Sequence, residues 1–146
     1  MNLFTAMEVA ASGLTSERVR MNALASNLAN ARTTRTSDGG GPYKRIDPFF
    51  QAVPIAERVK EVERGDTPGG VYLVEVPYLR TDETAPQLIY DPNHPDADTR
   101  GFVALPNVNV VEEMVNLITA SRSYEAGVTV MQSLKGMAQS ALSIGA

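Results

Sequence analysis

At the start of the chain, apolar side chains recur at alternating steps of four and three: Leu3, Met7, Ala10, Leu14, Met21, Leu24 and Leu28, with Glu17 the polar position on that line. This is the period of one helix lying against another. Toward the other end Val110, Met114, Leu117, Tyr124, Val128, Met131, Ala138 and Leu142 keep the same steps, with Ser121 and Lys135 as the polar lapses. Both ends therefore predict long helices. At about 1.5 Å per residue each would be roughly 40 to 55 Å long, too long for one compact globule.

The first helix is expected from about Asn2 or Thr5 to Asn30, with Gly13 tolerated at about 1 kcal/mol relative to alanine. Off the main line it also carries Phe4, Val9, Ala11, Val19, Ala23, Ala25 and Ala29, so most of its circumference is apolar or small. A helix of that kind is buried from several sides. The second has a start signal at Asn109, whose side chain can accept from first-turn amides while Glu112 reaches back in a capping box. Pro106 makes Leu105 to Asn107 an extended lead into it. Val111, Val115, Ile118, Leu134, Met137 and Ile144 lie on adjoining faces that a single partner helix does not cover. At about 25 cal/mol per Å², a few hundred Å² left uncovered is several kcal/mol of unrealised stabilisation. The two ends are thus expected to pair within one subunit and then to pack against copies or relatives of themselves.

Between the ends the period changes. Ser37, Asp38, Gly39, Gly40 and Gly41 read as a loop, and most of the prolines follow it. Strand-like runs occur at Phe49 to Val53, Ile55 to Val62, Val71 to Val76, Gln87 to Tyr90 and Phe102 to Leu105. Gly65, Asp66, Thr67, Pro68, Gly69 and Gly70 suggest a hairpin turn joining the second run to the third. The expected fold is α+β: long N- and C-terminal helices pairing as a coiled coil, with a small β-rich insert. The terminal helical domain covers 1–35 and 106–146, and the central loop and β-rich domain covers 36–105.

Composition removes several function classes. The net charge of −4 over 146 residues argues against a general nucleic-acid binder, which needs a concentrated surplus of Lys and Arg. The one basic cluster, Arg32, Arg35, Lys44 and Arg45, flanks the glycine loop and reads as a solvated connector. Cysteine is absent, so disulfides and thiolate metal sites are unavailable. Met1 to Met7 lacks the layout of a cleavable signal peptide, and the uncharged stretch Met21 to Ala31 is broken by Asn22, Ser26, Asn27 and Asn30, which speaks against a membrane span.

The search for chemistry yields little. His94, the sole histidine, lies among Asp91, Asn93, Asp96 and Asp98, but the run lacks the glycine and the final Glu of a calcium loop and reads as a Pro- and Asp-rich turn. A Gly-x-Ser-x-Gly elbow is missing, and Gly39 to Gly41 lead to Pro42 and Tyr43 instead of to a phosphate-binding lysine. Glu112 and Glu113 point about 100° apart on a helix and read as capping and dipole compensation. No catalytic, cofactor-binding or metal-ligating residue is expected, and neither a cofactor nor a small-molecule substrate. Asn22, Asn27 and Asn30 are different, because asparagine is a poor helix former and something must compensate. Either they face solvent, or their amides bridge closely packed helices and fix register; periodicity leaves both open.

The run Asn22, Ala23, Leu24, Ala25, Ser26, Asn27, Leu28, Ala29, Asn30, Ala31 resembles the N-terminal signature of bacterial flagellar axial proteins, the rod, hook and hook-associated family. The stretch from Asp91 through Gly101, Phe102, Leu105, Pro106, Asn107, Glu112, Glu113 and Met114 to Ala120, Ser121, Arg122, Ser123, Tyr124, Glu125 and Ala126 is similar to the proximal-rod members. What the resemblance implies is a non-enzymatic subunit of the flagellar basal-body rod, whose terminal helices line an inner tube and whose middle forms an outer β domain. Its implied partners are copies of itself, other rod proteins and the flagellar type III export apparatus, with a periplasmic location reached without a cleaved signal. On that reading Leu14, Met21, Leu24, Asn27, Leu28, Asn30, Val110, Met114, Leu117, Tyr124, Val128 and Met131 form subunit interfaces. Gly127 departs from the pattern, standing where such proteins are expected to carry Asn; it either loosens the helix or admits a close neighbour. The competing readings are another rod or hook-type axial protein and, from a different class, a coiled-coil adaptor or membrane-surface helical protein. The last usually carries a Lys- and Arg-rich polar face, which is absent.

Overall fold

In a computed structural model, residues 3–37, 40–55 and 70–144 are described. The element order is α1 (Leu3–Ala29), β1 (Ile46–Pro48), β2 (Gln51–Pro54), β3 (Tyr72–Glu75), β4 (Leu79–Thr81), β5 (Gln87–Tyr90), β6 (Phe102–Leu105) and α2 (Val110–Ile144). The class is α+β, two terminal helices around short antiparallel strands. The Asn109 half of the expected cap on α2 is present, the N–H groups of Val111 and Glu112 pointing to Asn109 Oδ1 at 3.2 and 3.4 Å, while the return bond from the Glu112 side chain is absent among the described residues. The end of α1 coincides with Asn30, whose side chain turns back to donate to the Ser26 carbonyl at 2.9 Å.

The strands form three two-stranded pairs, β1 with β4, β2 with β3 and β5 with β6. The pair β5–β6 matches two of the expected runs residue for residue, with Gln87 opposite Leu105 and Tyr90 opposite Phe102. β1 and β4 are additions to the expected set. At three residues each, with Pro48, Asp47 and Arg80 among them, they show no alternation to read. The hairpin partner of β3 also differs from expectation: the run that pairs with it is Gln51–Pro54, and of the expected run Ile55 continues that ladder, donating to the Val71 carbonyl at 3.2 Å. Residues 56–62 of that run, and the expected turn residues Gly65 to Gly69, lie outside the described residues, as do Asp38 and Gly39 of the glycine loop.

By contacts the chain divides into two compact units, the first comprising Met1–Val19, Phe49–Pro77 and Ala120–Ala146, the second Arg20–Pro48 and Tyr78–Thr119. Each contains a stretch of both helices and at least one strand pair. In the first, Leu73 of β3 is fully buried, and Ile55 and Ala120 are buried with it. The outer edge of β3 is satisfied by α1: Ser12 Oγ accepts from the Val74 N–H at 3.2 Å, and Ser16 Oγ donates to the Val74 carbonyl at 3.0 Å. Serines four apart share one helix face, so α1 supplies the donor and acceptor that a third strand would have offered. Opposite, Gly127 of α2 sits so close to α1 that a Cβ there would lie 2.9 Å from Leu14 Cδ2. Of the two readings of Gly127, close approach is the one realised.

The second unit buries Ala23 and Leu24 of α1 with Val103, Pro106 and Val108. Gly101 takes φ +81°, and a Cβ there would fall 2.9 Å from the ring of Tyr90. Only glycine meets both conditions cheaply. No helix among the described residues is long and apolar enough to cross a membrane.

Candidate assembly surface and the polar junction beneath it

Within the second unit a carboxylate occupies a place that an apolar residue would ordinarily fill. Glu113, in the first turn of α2, is 1% exposed. Its Oε1 accepts from Arg45 Nε at 2.7 Å and its Oε2 from Asn27 Nδ2 at 2.9 Å. A charge removed from water is tolerated only when paired and hydrogen-bonded, and both oxygens of Glu113 are engaged. Burial by itself disfavours the Arg45 cation. The hydrogen bond and attraction of Glu113, with Asp47 and Asp82 adding, outweigh that, and the guanidinium is held above its ordinary value.

Asn27 has no exposed surface. Its Nδ2 donates to the Ile46 carbonyl at 2.9 Å as well as to Glu113, and its Oδ1 accepts from the Ile46 N–H and the Tyr43 hydroxyl, both at 2.9 Å. All four bonds an amide side chain can make are made. Toward Ile46 it behaves as a strand backbone would, exchanging one donor and one acceptor. The chain before β1 is held a second time by Asn107, whose Oδ1 accepts from the Arg45 N–H at 2.9 Å while its Nδ2 reaches the Asp82 and Thr84 carbonyls at 3.3 Å. One junction therefore ties α1, the approach to β1, and the start of α2.

Two readings from sequence are corrected by this geometry. Glu113 is not only a dipole-compensating residue on a helix surface, and Arg45 is not part of a solvated connector. Of the other basic residues, Arg35 pairs with Asp96 at 2.6 Å and Lys44 with Glu83, and both are exposed. The asparagines divide between the two readings left open: Asn27 bridges the helices, Asn22 is exposed, and Asn30 bonds its own helix. The turn containing His94 holds itself together, His94 Nδ1 accepting from the Asp96 N–H at 3.1 Å.

The sides of the same helix turns beside and opposite Glu113 are apolar and bare. Val111 is 71% exposed and Met114 52%, and Val110, Val115 and Ile118 are also exposed. Large exposed apolar residues are ordinary singly, but five on three consecutive turns form a face that solvent does not favour. In the first unit a shallow groove of about 340 Å³ is lined by Gly13, Leu14, Phe50, Val74, Gly127 and Val130, among others. The residues expected at interfaces are accordingly placed as follows. Val110 and Met114 are exposed; Leu24 and Asn27 are buried inside the second unit; Leu14, Met21, Leu28, Asn30, Leu117, Tyr124, Val128 and Met131 are half-buried.

Residues 7–35 match the family described as flagella basal body rod protein, and residues 99–144 match that described as flagellar basal body rod FlgEFG protein C-terminal. The flagellar basal-body rod protein FlgC of Borreliella burgdorferi is 42% identical over 99% of this chain and 98% of its own length. That of Bacillus subtilis is 40% identical over 99% of each. The chain belongs to the FlgC family. The relative from Escherichia coli O6:H1, 39% identical over 99% of each chain, carries the same name. As a FlgC-family member the chain is a structural rod subunit of the flagellar basal body, and its work is assembly with other rod components.

Tyr43, Arg45, Asn107 and Glu113, which build the FlgC-family chain's junction, do not stand out in the sequence as a site. A signal for Glu113 does exist. Counting back from Tyr124 through Leu117 by the same threes and fours reaches 113 as readily as 114, and the fully apolar alternative is the more natural choice.

Proposed function

We propose that this chain is a subunit of the proximal rod, and that its terminal helices, 1–35 and 106–146, carry the contacts between subunits while 36–105 forms the outer part. The assembled shaft crosses the periplasm and transmits torque; the chain reaches it through the flagellar type III export apparatus, without a cleaved signal. The role is mechanical and not enzymatic. The observation that carries the reading is the bare apolar face formed by Val110, Val111, Met114, Val115 and Ile118 on α2. In a lone chain that face is a loss. Against the helices of neighbouring subunits it becomes the seam, and Leu14, Met21, Leu28, Leu117, Tyr124, Val128 and Met131, each only half-covered by its own chain, offer further apolar surface.

The test uses Met114→Asp and Leu28→Asp in cells lacking any other copy of the protein. Met114→Asp places its charge on the exposed face, so the isolated chain stays folded while incorporation into purified basal bodies is lost, and swimming with it. A charge in a buried seam costs several kcal/mol unless paired. Normal swimming by cells carrying either variant would refute the seam assignment.

A further inference from the structure

The start of α2 presents two lines that could face inward. One is Val110, Met114 and Leu117, wholly apolar; the other is Glu113 and Leu117. At about 100° per residue the two are centred roughly 50° apart. Hydrophobic burial alone selects the first. The structure has the second: Glu113 is 1% exposed and Met114 52%. A buried ion pair is a poor source of stability compared with apolar side chains of the same volume, so the preference for Glu113 comes from the specific bonds that receive it. Those bonds are Arg45 Nε at 2.7 Å and Asn27 Nδ2 at 2.9 Å, the second from an amide already locked to Ile46.

We infer that Glu113 is a positioning residue: its pairing with Asn27 and Arg45 sets the rotation of α2 about its own axis, and so keeps the Val111, Val115 and Ile118 face turned away from the second unit. The inference rests on the proposed function for the use of that face, not for the rotation. Without the junction the helix rolls toward its apolar line. Met114 and Val110 then turn inward, residue 113 turns out, and the surface offered to a neighbour changes in both shape and composition. Asn27, Arg45 and Glu113 thus act in assembly without belonging to the assembly surface. The registering use of a buried polar group is the best-attested one for such groups in helix pairs.

Because the chain has no cysteine, a single introduced thiol reports on one position at a time. Met114→Cys and Val115→Cys chains are labelled with a soluble thiol reagent in three backgrounds: unchanged, Glu113→Gln and Glu113→Lys. Gln keeps an acceptor oxygen for Arg45 but sets its own NH2 against the Asn27 Nδ2 donor, so one of the two bonds is lost, whereas Lys faces Arg45 with like charge and accepts from neither. In Glu113→Lys, the thiol of the Met114→Cys chain reacts severalfold more slowly while that of the Val115→Cys chain keeps its rate; in Glu113→Gln, which keeps one of the two bonds, the Met114→Cys rate falls between. Equal Met114→Cys labelling rates in all three backgrounds, at undiminished helix content, overturn the inference. Should Glu113→Lys lose helix content, Arg45→Lys takes its place, since it keeps the charge but loses the Nε donor. The same slowing of the Met114→Cys thiol is then expected, and an unchanged rate again overturns the inference. Labelling is read on the isolated chain, so its outcome is separate from incorporation into basal bodies.

Discussion

Two helix stretches of the second unit obey opposite rules. The α1 stretch buries the apolar Ala23 and Leu24 together with Asn27 and exposes Asn22, so its apolar side and its one bridging amide both face inward. The start of α2 buries Glu113 and exposes Val110, Val111, Met114, Val115 and Ile118. The first stretch buries its most central apolar residues within its own chain and leaves Met21 and Leu28 half-buried; the second has its apolar side turned out. A lone chain gains nothing from the second arrangement; on the proposed function a subunit gains an adhesive face by it. On the proposed function, stability and assembly fall on different sides of one helix.

The contrast breaks most sharply under a matched pair of substitutions. Leu24→Asp, in a position only 3% exposed, costs several kcal/mol and abolishes cooperative unfolding of the isolated chain, because an unpaired charge is forced into an apolar site. Val115→Asp, on the bare face, shifts the denaturation midpoint by no more than about 0.5 kcal/mol equivalent. Equal losses in urea titrations of the two would show that α2 is as fully used within the chain as α1 is.

Next in size is the junction itself. Arg45→Ala leaves Glu113 buried without its cation and costs about 3 kcal/mol in urea denaturation, the lower end for such pairs because Arg45 is partly exposed. Asn27→Ala strands the Ile46 amide and one carboxylate oxygen of Glu113 and costs about 2 kcal/mol. The two share a partner, so the double variant loses less than the sum of the single ones.

The smallest effect is a control lying outside both helices. The Phe102 N–H, with Arg100 adding, holds the Asp98 carboxyl below the usual carboxylate range, and the Thr84 hydroxyl and N–H do the same for Asp82. Groups with depressed folded values contribute stability that is present above their unfolded value, about 3.9, and fades as pH falls through the folded one. A carboxyl-resolved NMR titration should therefore find both midpoints below that value. A midpoint at or above the unfolded value would remove this contribution.

Much of the architecture is legible in the sequence. Period reveals helices directly, so α1 and α2 are expected nearly to their observed limits, and the Asn109 cap declares itself by side-chain chemistry. Runs with β-branched and aromatic residues, such as those of β5 and β6, are equally plain. β1 and β4 are not, because three-residue strands containing proline and charge carry no period and exist only where a partner holds them. The partner of the outer edge of β3 is hidden for a related reason: it is Ser12 and Ser16 of α1, distant in sequence, reaching the Val74 backbone.

What the sequence by itself determined is the family, the two helices and the surplus of apolar surface that calls for neighbours. All of these follow from local spacing and from motif residues in order. Tertiary structure alone decided which face of α2 is inward, since the apolar line through Met114 and the mixed line through Glu113 differ by one residue and hydrophobic patterning prefers the first. A hydrogen-bonded pairing with Arg45 and Asn27, 68 and 86 residues away along the chain, reverses that preference. No local pattern encodes such a bond. It exists only once the segments that carry its atoms have been brought together.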